Sequence, residues 1–345
     1  MTEVFLTWPV LLVVGALVGS LVILAKSADI LVDNAVALSK VWGMPELVVG
    51  ATIVSLGTTL PELAASGISA LQGSGEFALG NAVGSIITNT SLILGLGAVF
   101  GAIAVGRAES QKLTILLAAT AALIVPTLVT LGPDGQGHLP RWMGVVLLVS
   151  LPVYLVWMAR QRSPQVSAPD GEPADSGVLV EPDLAEEAPH PSRLLAMVAL
   201  GAVGIAGSAV VLVGSAEALA IRAGVPEFIL AVTLVAFGTS VPELTTVITA
   251  ARRGFGGLAL GNVLGANVLN IILVSGFAAA VMPGGIPVGV DFMLVSYPAL
   301  LIVLGLFGWF AYNTRVNEIR VKEGIALVVI YVAFLAASLL VPNFL

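Results

Sequence analysis

Apolar and polar positions in this chain fall in long blocks, not in the short periods of soluble helices and strands. Apolar windows of about 20 residues, the length that spans a bilayer as a helix, run at roughly 5–25, 45–70, 77–103, 113–132, 142–159, 194–221, 227–251, 257–282, 292–313 and 324–343. Backbone groups in hydrocarbon must pair internally, so ten such windows predict an all-α polytopic membrane protein with ten transmembrane helices. The first window follows Glu3 with no basic residue before it and continues into a polar-flanked helix, so it reads as a span and not a cleaved leader.

Between about 163 and 192 the apolar pattern stops, and Pro, Ala, Ser and acidic residues take over without any period. That composition predicts a disordered linker, too short for a folded domain. It divides the chain into a first half, 1–162, and a second, 193–345, each with five windows. Lys and Arg are concentrated in alternate loops, Lys40, Arg107, Arg160, Arg193, Arg252 and Arg315 among them, whereas the opposite loops hold only Arg141 and Arg222. Basic loops stay cytoplasmic. An integral protein of the plasma (inner) membrane is expected, with both termini outside and the linker in the cytoplasm.

The halves are copies. At an offset of 181, Ser27 to Gly95 aligns with Ser208 to Gly276 without a gap, and 28 of 69 positions are identical. Gly43-x-Pro45-Glu46 returns as Gly224-x-Pro226-Glu227, Gly57-Thr58-Thr59-Leu60-Pro61-Glu62 as Gly238-Thr239-Ser240-Val241-Pro242-Glu243, and Gly80-Asn81-x-x-Gly84 as Gly261-Asn262-x-x-Gly265. The repeats occupy about 44–103 and 225–282. An odd number of spans per half inverts the second copy, so the chain reads as two inverted five-helix repeats. Inverted repeats with helices broken near the bilayer midplane are the architecture of secondary transporters.

Composition agrees. The 345 residues are 58% hydrophobic and 10% charged, with mean hydropathy +1.05, which excludes an ordinary soluble domain and with it the nuclease, repressor and cytosolic-enzyme classes. The net charge of −7 resides in the linker, at Asp170, Glu172, Asp175, Glu181, Asp183, Glu186 and Glu187. There is no cysteine, which removes disulfides, thiolate metal sites and cysteine nucleophiles.

Against this background Glu62 and Glu243 stand out, each deep inside a window whose other acidic residue, Glu46 or Glu227, lies at its edge. A carboxylate there costs about 2.5–3.5 kcal/mol on insertion scales, and a cation between the two would offset it. Calcium takes six to eight oxygens, often carboxylate and carbonyl together. Pro61 and Pro242 have no N–H for the carbonyls of Gly57 and Gly238, so each helix is expected to open over the preceding turn, presenting the carbonyls of Thr58 and Thr239 beside a glutamate. The hydroxyls of Thr59 and Ser240 add further oxygens.

Plainer readings exist for each feature. A single buried glutamate can be a paired structural acid. Asn89 and Asn270, which are repeat mates, can be interhelical hydrogen-bond glue. Gly80, Gly84, Gly261 and Gly265 fit close helix packing. Asp29 and Asp33 share a helix face, where pairing with Lys26 or contact with the interface is expected. His138 and His190 fall in loops and receive no role.

Taken together, GTTLPE and GTSVPE, each followed by GN-x-x-G and an asparagine, resemble the cation/calcium antiporter superfamily, specifically its sodium/calcium exchanger branch. The resemblance implies that helices two, three, seven and eight surround the ion site. It implies that Glu62 and Glu243 with the Thr58 and Thr239 carbonyls hold calcium, and that sodium competes for overlapping positions. Helices one and six are implied to slide against that core. The family's GSN triplet stands here as Gly84-Ser85-Ile86 and Gly265-Ala266-Asn267, so Ser85 keeps a hydroxyl that Ala266 lacks. Backbone carbonyls of Ser55 and Ala236 carry over as sodium ligands. Asn89 and Asn270 are both amides, whereas potassium-dependent relatives tend to place an Asp in the second copy, so no potassium requirement is expected.

The function expected is exchange of sodium for calcium by alternating access. A proton-coupled antiporter for calcium or another divalent cation is the nearest alternative, and a cation channel the alternative of another class. No His-rich metal set, nucleophile with a base, or nucleotide loop argues for an enzyme. No cofactor is implied. The expected partners are membrane lipid and the transported calcium and sodium ions, with no nucleic acid and no obligate protein partner.

Overall fold

The computed structural model describes residues 2–101, 103–105, 107–133, 135–160, 190–223, 240–290, 292–313 and 318–340. The main helices are α1 (Val10–Trp42), α2 (Glu46–Thr58), α3 (Leu60–Leu71), α4 (Gly75–Phe100), α5 (Arg107–Val129) and α6 (Arg141–Ala159) in the first half. The second half contributes α7 (Pro191–Arg222), α8 (Val241–Arg252), α9 (Gly256–Val281), α10 (Phe292–Phe310) and α11 (Val321–Leu340). Among the described residues eight helices are long and apolar enough to cross a membrane, or nine if the bent pair α2–α3 is one span. The window at 227–251 is described only from Ser240, and most of the acidic segment lies outside the described residues. Helix α7 begins at Pro191, ahead of the apolar window, because the proline supplies a fixed φ in the first turn behind an N-capping His190.

Two helices form the centre. In their most apolar stretches α4 is 72% and α9 83% buried, against 17–50% for the other spans. Around them the outer helices expose side chains such as Leu11, Val129, Val153 and Val203. An apolar exterior on this scale belongs in lipid, where helices satisfy their own backbone.

Glycines set a close contact between α2 and α9. A Cβ at Gly261 would lie 2.9 Å from the Leu47 carbonyl carbon, and one at Gly265 would stand 2.5 Å from the Ser55 Oγ. The packing role expected for these two is therefore met. Their repeat mates behave differently: among the described residues nothing approaches Gly84, and Gly80 meets only the Phe292 ring at ordinary contact distance.

Helix α1 is a single helix of 33 residues, longer than the first apolar window, and ends at Gly43 in the left-handed conformation (φ 61°). It lies along α7, with Gly201 of α7 against the Leu31 backbone. At one end of the pair Arg222 donates to the carbonyls of Phe5, Leu6 and Trp8. Lower down, Asp29 and Asp33 bind Arg253, beyond α8, with Nη2 at 2.6 Å from Asp29 and Nη1 on Asp33. The expected partner Lys26 is replaced by a cation more than 200 positions away, because the fold brings the end of α8 onto the α1 face.

Two short antiparallel ladders close the loops. Strand β1 (Ile103–Ala104) pairs with β4 (Glu318–Ile319), and β2 (Gly137–Leu139) with β3 (Ile286–Val288). His138 is thus on a strand, not in a loop, and its ring donates to the Gly284 carbonyl.

Candidate functional site

The chain bends by 47° between α2 and α3. The break is tighter than the proline alone suggested: helix resumes at Leu60, and only Thr59 stands between, with its N–H on the Ser55 carbonyl at 2.9 Å. Proline tolerates the first helical turn, where its missing N–H is not needed, so Pro61 starts α3 instead of unwinding the four residues before it. Pro242 likewise lies in the first turn of α8 after Ser240. Each glutamate follows its proline and is held in the first turn of a helix, where the N-terminal end of the helix dipole favours negative charge.

Asn89 and Asn270 each open a wider, π-helical turn, at Asn89–Ile93 in α4 and Asn270–Ser275 in α9. A third spans Gly50–Val54 in α2. Such turns displace carbonyls from the regular ladder and concentrate at functional sites. Hydroxyls take up several of these carbonyls: Tyr154 donates to Ala51 at 3.0 Å, Ser91 to Ile87, and Ser275 to Asn270 at 3.0 Å. Apart from the repeated asparagine, nothing in the amino-acid pattern signals these turns.

The halves interlock at this level. The Asn89 turn packs on α8, which carries Glu243, and the Asn270 turn packs on α3, which carries Glu62. Glu62 and Glu243 are neighbours in this packing, and Glu243 lies beside the hydroxyls of Thr58 and Thr59. Ser55, Thr58, Thr59, Glu62, Ser85, Asn89, Ser240, Glu243 and Asn270 are all at most 3% exposed. Ser85 also borders a cavity of about 220 Å³ between α4 and α11. Thr239 and Ala236 lie outside the described residues.

The cluster is set apart by unmet hydrogen bonding. Both oxygens of Glu62 and of Glu243, the hydroxyls of Thr59 and Ser240, and both side-chain polar atoms of Asn89 and Asn270 are buried without a hydrogen-bond partner. Among the described residues only the Tyr297 hydroxyl, Asn262 Nδ2 and Asn267 Oδ1 share that condition. Native proteins pair nearly all buried polar groups, so a concentration of orphan oxygens around two carboxylates has the donor set of a site for a desolvated hard cation.

Two partners of this cluster escaped the sequence reading. Thr58 donates to Asn262 Oδ1 at 3.2 Å, and Asn267 Nδ2 donates to Thr90 at 2.7 Å. Asn262 belonged to a repeated motif, but its glycines drew attention to packing. Asn81, its repeat mate, donates to Ser66 at 2.9 Å.

The sequence profile of the family described as "Sodium/calcium exchanger protein" matches residues 12–160 and 193–340, covering both halves and omitting the acidic segment. The chain belongs to the sodium/calcium exchanger family. This exchanger-family chain is 32% identical to the inner membrane protein YrbG of Escherichia coli, over 80% of its own length and 82% of the relative's. It is 28% identical to the sodium/calcium exchanger MaX1 of Methanosarcina acetivorans, over 91% and 95%. A structure of the sodium-calcium exchanger NCX_Mj soaked without Na+ and Ca2+ superposes with a TM-score of 0.77 at 27% identity, covering 95% of this chain and 99% of that one. The expected superfamily and branch are thereby shown, and the helical membrane fold is similar to that of NCX_Mj.

Proposed function

We propose that this cation/calcium antiporter exchanges sodium for calcium by alternating access. The observation that carries the reading is the pair of fully buried carboxylates, Glu62 and Glu243, brought together from two repeats among hydroxyl and amide oxygens that have no protein partner. Calcium sits between the glutamates, with the carbonyls of Thr58 and Thr239 completing the cage. Sodium occupies overlapping positions built from Thr59, Ser240, Ser85, Asn89 and Asn270 and from the carbonyls of Ser55 and Ala236. Occupation by one ion excludes the other, and a barrier to moving the unfilled, doubly negative site couples their fluxes.

In this reading the chain has ten spans in two inverted halves, and Thr239 and Ala236 belong to the second repeat. The domains are 1–162 and 193–345, joined by a cytoplasmic linker, with both termini outside. The closely packed α1 and α7 move as one body against the α4–α9 core. Calcium-45 uptake into proteoliposomes under separately imposed sodium, potassium and proton gradients tests the coupling. Uptake driven by the outward sodium gradient alone is expected; uptake driven only by the proton gradient would replace sodium with protons in the same site, and current without counter-ion dependence would make it a channel.

A further inference from the structure

The repeats diverge at two adjacent positions where the same ligand is expected in each. Position 85 is serine and its mate 266 is alanine; position 86 is isoleucine and its mate is Asn267. Thr90, to which Asn267 donates, has Ile271 as its mate. Each half thus places one polar and one apolar side chain at the two adjacent positions, but in opposite order. Serine then isoleucine faces alanine then asparagine, and only the second half has a threonine for its amide to bind.

Asn267 is fully buried on α9. Its Nδ2 is engaged by Thr90 at 2.7 Å, one residue after Asn89 in the π turn that packs on the Glu243 helix. Its Oδ1 accepts nothing. An amide whose donor side is fixed and whose acceptor side is buried and empty leaves a desolvated dipole with its negative end free, and such a group is destabilising unless something satisfies it. A sodium ion does so, because an amide oxygen is a competent ligand for a hard cation.

Resting on the exchange reading, we propose that Asn267 Oδ1 is a sodium ligand that supplies the side-chain oxygen missing at Ala266, with Thr90 as the positioning residue that turns the amide oxygen toward the ion. The half without a serine hydroxyl keeps its sodium position through the neighbouring side chain. Sodium selectivity in the two halves therefore rests on different groups, a hydroxyl at Ser85 and an amide at Asn267.

The test is sodium displacement of bound calcium-45 from purified protein, read together with calcium affinity in sodium-free buffer and thermal unfolding. Asn267→Leu is expected to raise half-maximal sodium about five-fold, the scale of one polar contact, while sodium-free calcium affinity stays near that of the unmodified protein. Thr90→Val should shift sodium in the same direction by less. Ala266→Ser added to Asn267→Leu should restore the sodium dependence, which a packing role for Asn267 would not allow. Should Asn267→Leu fail to fold, the near-isosteric Asn267→Asp is expected to tighten sodium displacement. Unchanged sodium dependence in these variants, or equal loss of both ions without rescue by Ala266→Ser, overturns the assignment of Asn267 alone. Absence of sodium displacement in the unmodified protein removes the exchange reading and this assignment with it.

Discussion

Glu62 and Glu243 combine three properties that rarely coincide: complete burial, formal charge and no hydrogen-bond partner. Replacing either with glutamine keeps the shape and removes one negative charge. Glu62→Gln and Glu243→Gln are each expected to abolish calcium exchange, while size-exclusion profile and helical circular dichroism remain those of the parent; substantial calcium flux in either variant would remove that residue from the site. The sign of the pH dependence follows from the same chemistry. Only the deprotonated carboxylate binds calcium, so protons compete with the ion and affinity should fall on acidification. A calcium isotherm unchanged between about pH 7.5 and about pH 5, approaching the reference glutamate pKa of about 4.3, would contradict carboxylate ligation. The two glutamates were legible in the sequence because charge inside an apolar window is conspicuous. Asn262 and Asn267 were not, since an asparagine among small and apolar residues in a membrane helix looks the same whether it binds a helix, an ion or nothing, and only the pairing of one amide end with the other left empty separates these.

Among the elements, the contact between α2 and α9 is governed by the absence of side chains. A Cβ at Gly261 would meet the Leu47 backbone, whereas one at Gly15 on α1 meets nothing within 4 Å. Gly261→Val should therefore destabilise by about 1–3 kcal/mol or more through overpacking, and Gly15→Val should not; thermal unfolding in detergent compares them. The helix breaks were legible from Pro61 and Pro242, but their extent was not, because a proline in the first turn of a new helix needs no unwinding around it. The π turns had no sequence signal, since they arise from how carbonyls are shared with Tyr154, Ser91 and Ser275. The Arg253 clasp was half legible, its acids but not its cation. Its side chains are 33–58% exposed, so Arg253→Gln should cost only about 1 kcal/mol. Asp29 and Asp33, left one helical turn apart without a cation, then repel, and the loss should shrink at high salt in the same unfolding assay.

For the whole molecule, the internal repeat was the most informative feature, because 28 identities in register across 69 positions point to two related halves before any contact is known. What the repeat could not show is which surfaces meet. The interlock of the Asn89 turn with the Glu243 helix and of the Asn270 turn with the Glu62 helix is a property of tertiary packing alone. The acidic segment between the halves lies outside both stretches matched by the family profile and has the composition of a tether. Deleting about residues 165–190 is expected to leave calcium-45 flux close to that of the parent; loss of activity or of its response to calcium would make the acidic cluster a sensor. The central claim is that one set of buried oxygens serves both ions in turn. Equilibrium binding of calcium-45 to the purified protein across a sodium series tests it most directly: calcium should be displaced by sodium but not by potassium, and all high-affinity calcium should vanish in Glu62→Gln and Glu243→Gln. Calcium and sodium bound together without mutual displacement, or calcium retained at full affinity in both glutamine variants, would contradict it.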